Sequence, residues 1–305
     1  MTTLDFGPLV LGGNTFGWTS DRDETFAVLD AFVAAGGRSI DTADVYSAWA
    51  DGNSGGESET LIGEWFASSG RRDDVVVATK VFSLPTRPGL SAANVRAAVD
   101  DSLRRLQTDR LDLYYAHRDD TEVPQEEYVA VFDELVRAGK VLEVGASNFS
   151  PERLTSAVEI ARREGLTPFT VAQDQYNLVD RSFESGSRDT LLDLDIVELP
   201  YYGLASGFLT GKYRPGQNVE SARAGGAAAY LDDPRNVELL GVLDDVAAAH
   251  SVSDAAVAIA WLRQQPAVAA PIASARTAAQ LPALIESFEL VLDDDEIAAL
   301  SAPTA

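Results

Sequence analysis

Four polar side chains, each placed where a short apolar segment ends or just beyond it, combine the chemistry of a proton-transfer site. Asp41 ends one such segment, Tyr46 follows five residues later, and Lys80 and His117 end two others. A carboxylate at the end of a buried strand has left solvent, so it needs a cationic partner or hydrogen bonds. Lys80 is the candidate partner for Asp41.

This combination suits the conversion of a carbonyl into an alcohol. A free phenol has a pKa of about 10, too high for an acid poised near pH 7. We expect the Lys80 ammonium to stabilise the Tyr46 phenolate and Asp41 to hold that ammonium in place and charged. His117 would donate a hydrogen bond to the substrate carbonyl and orient it, completing a proton donor and an oxyanion site.

The electrons must come from a group that the side chains do not supply. The chain has no cysteine, which excludes disulfides and thiolate catalysis. Its two histidines, His117 and His250, are too few for a typical metal site. We therefore expect no metal, and hydride from a nicotinamide is the natural reductant.

The net charge of −24, from 48 acidic residues against 24 lysines and arginines, limits the partners. So acidic a surface repels nucleic acid and anionic membranes, so neither is expected as a partner. An anionic ligand would need a local cluster of cations. No apolar run approaches the roughly 20 residues of a membrane span, and residues 1–5 resemble no secretory signal. These features predict a soluble, cytoplasmic protein.

The elements that must position the four side chains alternate along the chain. Apolar runs predict strands at 6–13, 38–41, 75–79, 111–116, 141–145, 170–173, 195–200 and 267–272. Helical spacing predicts helices at 23–35, 58–68, 91–106, 125–137, from Ser150-Pro151 onward, and at 188–193, 237–249, 253–263, 277–287 and 293–300. The connection at 203–235 is interpreted as a functional loop.

Eight short, mostly non-alternating apolar strands separated by helices predict a parallel sheet buried on both faces. We therefore predict an α/β protein: a single-domain (β/α)8 barrel over residues 1–305 with extra C-terminal helices. A doubly wound sheet is the alternative, but no Gly-x-Gly-x-x-Gly follows the first strand. In a barrel the carboxyl ends of all strands lie at one face, where active sites form.

Three segments resemble the catalytic segments of the aldo-keto reductases: Asp41-Thr42-Ala43-Asp44-Val45-Tyr46, Val77-Ala78-Thr79-Lys80 and Leu113-Tyr114-Tyr115-Ala116-His117. The likeness covers almost the whole chain. It implies reduction of an aldehyde or ketone by NADPH, with NADH possible, without a metal. Hydride would come from the nicotinamide and the proton from Tyr46.

The resemblance also implies a set of cofactor-binding residues. For the nicotinamide end these are Ser147, Asn148, Gln173 and the stacking Tyr201. For the rest of the cofactor they are Leu204, Ser206, Gly207, Lys212, Ser274, Arg276 and Gln280. Two segments depart from the family pattern: Tyr202-Gly203-Leu204 replaces Ser-Pro-Leu, and Ala283-Leu284 replaces Glu-Asn on the adenine side. The preference for NADPH over NADH therefore stays open.

Other readings remain open at this point. The chain could be a nicotinamide-binding regulatory subunit with little turnover, or a (β/α)8 hydrolase or isomerase that needs no nucleotide. Trp18 and Trp49 lie on the predicted loops where substrate would lie. Polar loops with tryptophans favour a small polyol, sugar ketone or aldehyde. The sequence leaves the oligomeric state undetermined.

Overall fold

Eight parallel strands form the framework of the protein. The computed structural model describes residues 2–217, 219 and 224–305. The strands are β1 Val10–Gly12, β2 Ser39–Asp41, β3 Val76–Val81, β4 Leu111–Ala116, β5 Val141–Ser147, β6 Val171–Gln173, β7 Val197–Glu198 and β8 Ile272–Ala273.

The sheet closes on itself. Its strands follow the order β7-β6-β5-β4-β3-β2-β1-β8. Backbone hydrogen bonds then join β7 to the segment before β8: the Glu198 amide donates to the Ala267 carbonyl at 2.8 Å, and the Ala269 amide donates to the Glu198 carbonyl at 2.9 Å. The predicted (β/α)8 barrel is confirmed, and the doubly wound alternative is wrong.

Helices surround the barrel. They are α1 Arg22–Ala34, α2 Glu57–Ser69, α3 Ala92–Leu106, α4 Gln125–Arg137, α5 Pro151–Glu164, α6 Ser182–Ser185, α7 Arg188–Leu194, α8 Ala224–Ala228, α9 Pro234–His250, α10 Asp254–Arg263, α11 Pro282–Ile285 and α12 Asp294–Ser301. As predicted, Ser150 caps α5 by accepting a hydrogen bond from the Arg153 amide, and Pro151 occupies the first turn.

Several strand boundaries differ from the prediction. The strands predicted at 6–13, 195–200 and 267–272 are shorter, because hydrogen-bonded pairing covers only the two or three residues of β1, β7 and β8. In contrast, β3 extends to Val81, because its ladder pairs Lys80 with Tyr115. Lys80 therefore lies inside a strand instead of beyond its end.

One predicted loop and one predicted helix also need correction. The predicted loop at 203–235 contains α8 and two short 3-10 segments, Ala205–Thr210 and Ala229–Asp232, while its residues 218 and 220–223 lie outside the described part. The helix predicted at 277–287 divides into a 3-10 turn and α11. Pro282 explains the division, since a proline has no N–H to continue a helix and suits the first turn of a new one.

The core has two layers. The larger one packs the helices against the outside of the sheet. The smaller one fills the barrel with side chains such as Val10, Leu113, Tyr115 and Leu199. Tyr115 fits there because its neighbour on β5 is Gly145, where a Cβ would lie 2.6 Å from the tyrosine ring. Among the described residues, no helix is both long enough and apolar enough to cross a membrane.

Candidate active site

Adjacent strands bring Asp41 and Lys80 together inside the barrel. Asp41 is the last residue of β2 and Lys80 the last but one of β3, and these two strands pair directly. The Lys80 ammonium lies 2.5 Å from Asp41 Oδ2, and the two side chains are only 0% and 2% exposed. A buried ion pair needs its remaining protons and lone pairs satisfied to offset desolvation.

Lys80 satisfies that condition. Besides the bond to Asp41, its ammonium donates to the Thr42 carbonyl at 2.8 Å and to the Tyr46 phenol oxygen at 3.0 Å. An ammonium has three protons and no acceptor, so the phenol oxygen is the acceptor in the last bond. The Tyr46 proton must therefore be donated elsewhere. Asp41 Oδ2 is 3.4 Å away, long for an O–H···O bond, so a ligand can compete for this proton.

Burial and the neighbouring charges together set the protonation states of Lys80 and Tyr46. Burial disfavours the Lys80 ammonium, but Asp41 and Tyr46 outweigh burial and raise the pKa of Lys80 above its usual value. Burial also raises the pKa of Tyr46 above 10, although the ammonium acts to lower it. The prediction of a phenol more acidic than usual is therefore wrong as a net effect, because burial outweighs Lys80. Tyr46 is protonated at neutral pH, as a proton donor must be.

His117 stands beside this group, directly after β4. Its ring is 6.2 Å from the Tyr46 ring, at 69°. Burial, followed by the charges of Lys80 and Arg118, holds the pKa of His117 well below 6.5. Its Nδ1 is buried without a hydrogen-bond partner among the described residues. The imidazole is therefore neutral at pH 7, so it can donate an N–H to an oxygen without carrying charge.

A cavity of about 840 Å³ opens at the carboxyl ends of the strands. Asp41, Tyr46 and His117 line it, while Lys80 is fully buried and is not part of the wall. The wall also includes every residue that the resemblance assigns to the cofactor: Ser147, Asn148, Gln173, Tyr201, Leu204, Ser206, Gly207, Lys212, Ser274, Arg276 and Gln280. The structure thus brings all the predicted site residues to one face of the barrel.

Amide side chains connect one end of the cavity to Asp41. Gln173 Nε2 donates to Asp41 Oδ1 at 2.9 Å, and Ser147 Oγ donates to the Gln173 carbonyl at 2.7 Å. Asn148 donates to Ser147 Oγ at 2.8 Å and accepts from the Tyr201 hydroxyl at 2.7 Å. This network provides fixed polar groups close to Tyr46, as recognition of a carboxamide requires.

Cations lie along another part of the wall. The side chains of Lys212 and Arg276 make no hydrogen bond or ion pair with the rest of the described chain. The Arg276 amide donates to Gln280 Oε1 at 2.9 Å, and Ser274 Oγ donates to Asn14 Oδ1 at 2.8 Å. The Lys212 ammonium lies 5.1 Å from the centre of the Tyr213 ring. Cations without a carboxylate partner in a strongly acidic chain suit phosphate groups, so these residues fit a dinucleotide.

The sequence did not point to every residue on the wall. Arg118, the residue after His117, lines the cavity, and Asn14 and Ser83 line other parts of its wall. A signal for Arg118 was present: it is a basic residue that directly follows a strand-end histidine in an acidic chain. Trp18 and Trp49 also line the cavity, with ring centroids 6.0 Å apart.

Comparison with known proteins identifies the family. The family model described as "Aldo/keto reductase family" matches residues 8–303. The chain is 33% identical to the uncharacterized oxidoreductase YrpG of Bacillus subtilis, over 96% of this chain and 91% of the relative. It is 33% identical to norsolorinic acid reductase stcV of Emericella nidulans, over 95% and 76%. It is 31% identical to the putative aryl-alcohol dehydrogenase AAD14 of Saccharomyces cerevisiae, over 95% and 81%.

The matches cover nearly the whole chain, and several of these relatives are named as oxidoreductases. Together with the barrel, they support carbonyl reduction as the general reaction. This chain belongs to the aldo-keto reductase family and is an NAD(P)H-dependent oxidoreductase.

Proposed function

We propose that the protein reduces an aldehyde or ketone to an alcohol with NADPH, and that Tyr46 donates the proton. The observation that carries this proposal is the Lys80–Tyr46 hydrogen bond of 3.0 Å, which makes the phenol oxygen an acceptor at the cavity wall. The bound cofactor would supply hydride to the carbonyl carbon. Hydride and the Tyr46 proton together account for the two electrons and two hydrogens of the reduction.

The other three residues would support this transfer. A neutral His117 would donate a hydrogen bond to the carbonyl oxygen and hold it near the phenol. When Tyr46 loses its proton, the Lys80 ammonium would stabilise the phenolate through the bond it already makes. Asp41 would keep the ammonium charged and in place.

The cofactor would lie along the cavity between the amide network and the cations. Ser147, Asn148 and Gln173 would bind the carboxamide, and Tyr201 would stack on the nicotinamide ring. Leu204, Ser206, Gly207 and Lys212 would line the path of the diphosphate. Ser274, Arg276 and Gln280 would bind the adenosine phosphate. Arg276 carries the preference for NADPH, since its guanidinium can form paired bonds with a phosphate.

Aromatic side chains around Tyr46 favour an aromatic carbonyl substrate over a polyol or sugar. Trp49 packs edge-on against Tyr46, with centroids 5.8 Å apart, and against Trp18. Its side chain is nevertheless 49% exposed, so it offers an apolar face at the cavity. The word "aryl" in the name of the yeast relative agrees with this choice.

Steady-state kinetics with an aromatic aldehyde test the proposal. We expect the protein to oxidise many equivalents of NADPH per site when the aldehyde is in excess. Oxidation of a single equivalent would favour a nicotinamide-binding regulatory subunit instead. Failure of NADPH to change the protein or cofactor fluorescence on titration would favour a barrel enzyme that uses no nucleotide.

A further inference from the structure

The guanidinium of Arg118 has no partner within the described part of the chain, although acidic residues follow it directly. Arg118 is exposed and lines the cavity beside His117. The next residue, Asp119, is instead paired with Arg153 at 2.6 Å. Asp120 accepts a hydrogen bond from the Leu90 amide at 2.7 Å. The two nearest carboxylates along the chain are therefore occupied by other residues.

Such a free side chain is unusual in this protein. The chain has twice as many acidic as basic residues, and most of its described arginines pair with a carboxylate or a carbonyl. Arg71, Arg118 and Arg276 are the described arginines whose side chains do neither. Of these, Arg118 and Arg276 line the cavity. An unpaired arginine on a cavity wall is available to bind an anion.

Arg118 and Arg276 lie at opposite sides of the cavity. Arg118 follows β4 and Arg276 follows β8, and these strands are four places apart in the closed sheet. Arg276 belongs to the proposed phosphate-binding group. Arg118 instead lines the cavity directly after His117. After burial and Lys80, its charge helps to lower the pKa of His117, and it opposes the burial that raises the pKa of Tyr201 to about 12.

We propose that Arg118 binds an anionic oxygen group, such as a carboxylate, on an aromatic carbonyl substrate. The substrate ring would lie against Trp49, and its carbonyl would lie between Tyr46 and His117. A guanidinium can bind a carboxylate through two parallel hydrogen bonds, which orients the substrate as well as attracting it. This inference rests on the proposed carbonyl reduction and specifies the class of substrate for the same site.

The test compares 4-carboxybenzaldehyde with methyl 4-formylbenzoate, a neutral analogue of similar shape. We expect the wild-type protein to show a higher kcat/KM for the acid, with the difference shrinking as salt is added. Arg118→Gln should lower kcat/KM for the acid by roughly tenfold to a hundredfold, as expected for a lost charged hydrogen bond. The loss for the ester should be about threefold at most. Arg118→Lys should lose less than Arg118→Gln.

Arg71→Gln is the matched control. It makes the same change in net charge at another unpaired arginine that does not line the cavity. It should preserve the preference for the acid. NADPH titration of each variant verifies that the barrel is folded.

Three outcomes would overturn the inference. One is equal turnover of acid and ester by the wild-type protein. Another is an equal loss on both substrates in Arg118→Gln, which would indicate a general structural role. In either case carbonyl reduction itself would stand, because the ester is still reduced. If neither aldehyde is reduced by the wild-type protein, the proposed function falls together with the inference.

Discussion

The Lys80 ammonium donates a 3.0 Å hydrogen bond to the Tyr46 phenol oxygen, which puts a positive charge on the inner side of the phenol. The same ammonium is bound to Asp41 and to the Thr42 carbonyl, and it is fully buried. The Tyr46 hydroxyl therefore accepts a hydrogen bond from the buried Lys80 ammonium, while Tyr46 also lines the cavity. A phenolate formed by proton donation would meet this donor without any rearrangement.

Loss of the ammonium should damage both activity and stability. Lys80→Met should lower kcat for aldehyde reduction by about 10² to 10⁴-fold, the usual contribution of assisted proton transfer. It also leaves the Asp41 carboxylate buried without its cation, which should cost about 3–5 kcal/mol of unfolding free energy. The measurements are steady-state kinetics and urea unfolding.

The double variant Asp41→Asn/Lys80→Met separates these two effects. Because no unpaired charge remains, it should recover part of the stability but none of the activity. A double variant no more stable than Lys80→Met would show that the buried charge is not the source of the loss.

The pH dependence of reduction should lack an inflection near neutrality. Burial raises the pKa of Tyr46, so the phenol stays protonated until the pH rises through a value above 10. The pKa of His117 lies well below 6.5, so the imidazole is neutral at pH 7 and above. We expect kcat for reduction to be flat between about pH 7 and 9 and to fall at more alkaline pH. Alcohol oxidation, which needs a phenolate, should accelerate as the pH rises. A loss of reductive kcat between pH 7 and 9 would contradict this protonation scheme.

Arg276 should discriminate between the two dinucleotides. Arg276→Ala should raise the Kd of NADPH about tenfold or more, because a charged bond to a phosphate is lost, and should change the Kd of NADH about twofold at most. Fluorescence titration measures both constants. Arg71→Ala, which removes an unpaired arginine away from the cavity, should affect neither. If Arg276→Ala raises the Kd of NADPH and the Kd of NADH by the same factor, Arg276 does not bind the phosphate that distinguishes them.

Asp44 should make the protein less stable as the pH rises. Burial, followed by repulsion from Glu59, raises the pKa of Asp44 from 3.8 to about 7. Between these two values the folded protein retains a proton that the unfolded chain releases. Stability should therefore fall as the pH rises from about 4 to 7, by roughly 4 kcal/mol at 1.36 kcal/mol per pKa unit.

The variant Asp44→Asn resembles the protonated acid and should remove this dependence. The stability of Asp44→Asn relative to wild type, measured as the free energy of unfolding, should be greater at pH 8 than at pH 5. Asp23→Asn, at a carboxylate that is 96% exposed, serves as the control and should show no such change. If the difference in unfolding free energy between Asp44→Asn and wild type is the same at pH 5 and pH 8, Asp44 does not titrate between these values as described.

Much of the architecture follows from local sequence. Apolar runs separated by helical spacing predict parallel strands, and parallel strands place their carboxyl ends at one face. That rule alone predicts that Asp41, Lys80 and His117 lie near each other, whereas Gln173 is implied only by the family resemblance. It works because the strands are short, so the strand register leaves little freedom in where each end lies.

Other features depend on contacts that a linear pattern does not contain. The length of β8 is set by which residues pair with β1, and Val268 makes only an isolated bridge to Glu198. The pKa of Tyr46 depends on burial, which outweighs the charge of Lys80. The free guanidinium of Arg118 depends on Arg153 binding Asp119. Each is decided by tertiary packing, so periodicity and composition did not reveal it.

The most direct test of the whole account removes one oxygen atom. Tyr46→Phe keeps the ring but deletes the proposed proton donor and the acceptor of the Lys80 bond. We expect the variant to bind NADPH with a Kd close to that of the wild-type protein and to lose aldehyde reduction by about 10²-fold or more. Reduction at a rate close to wild type, with NADPH bound normally, would contradict the central claim that Tyr46 supplies the proton.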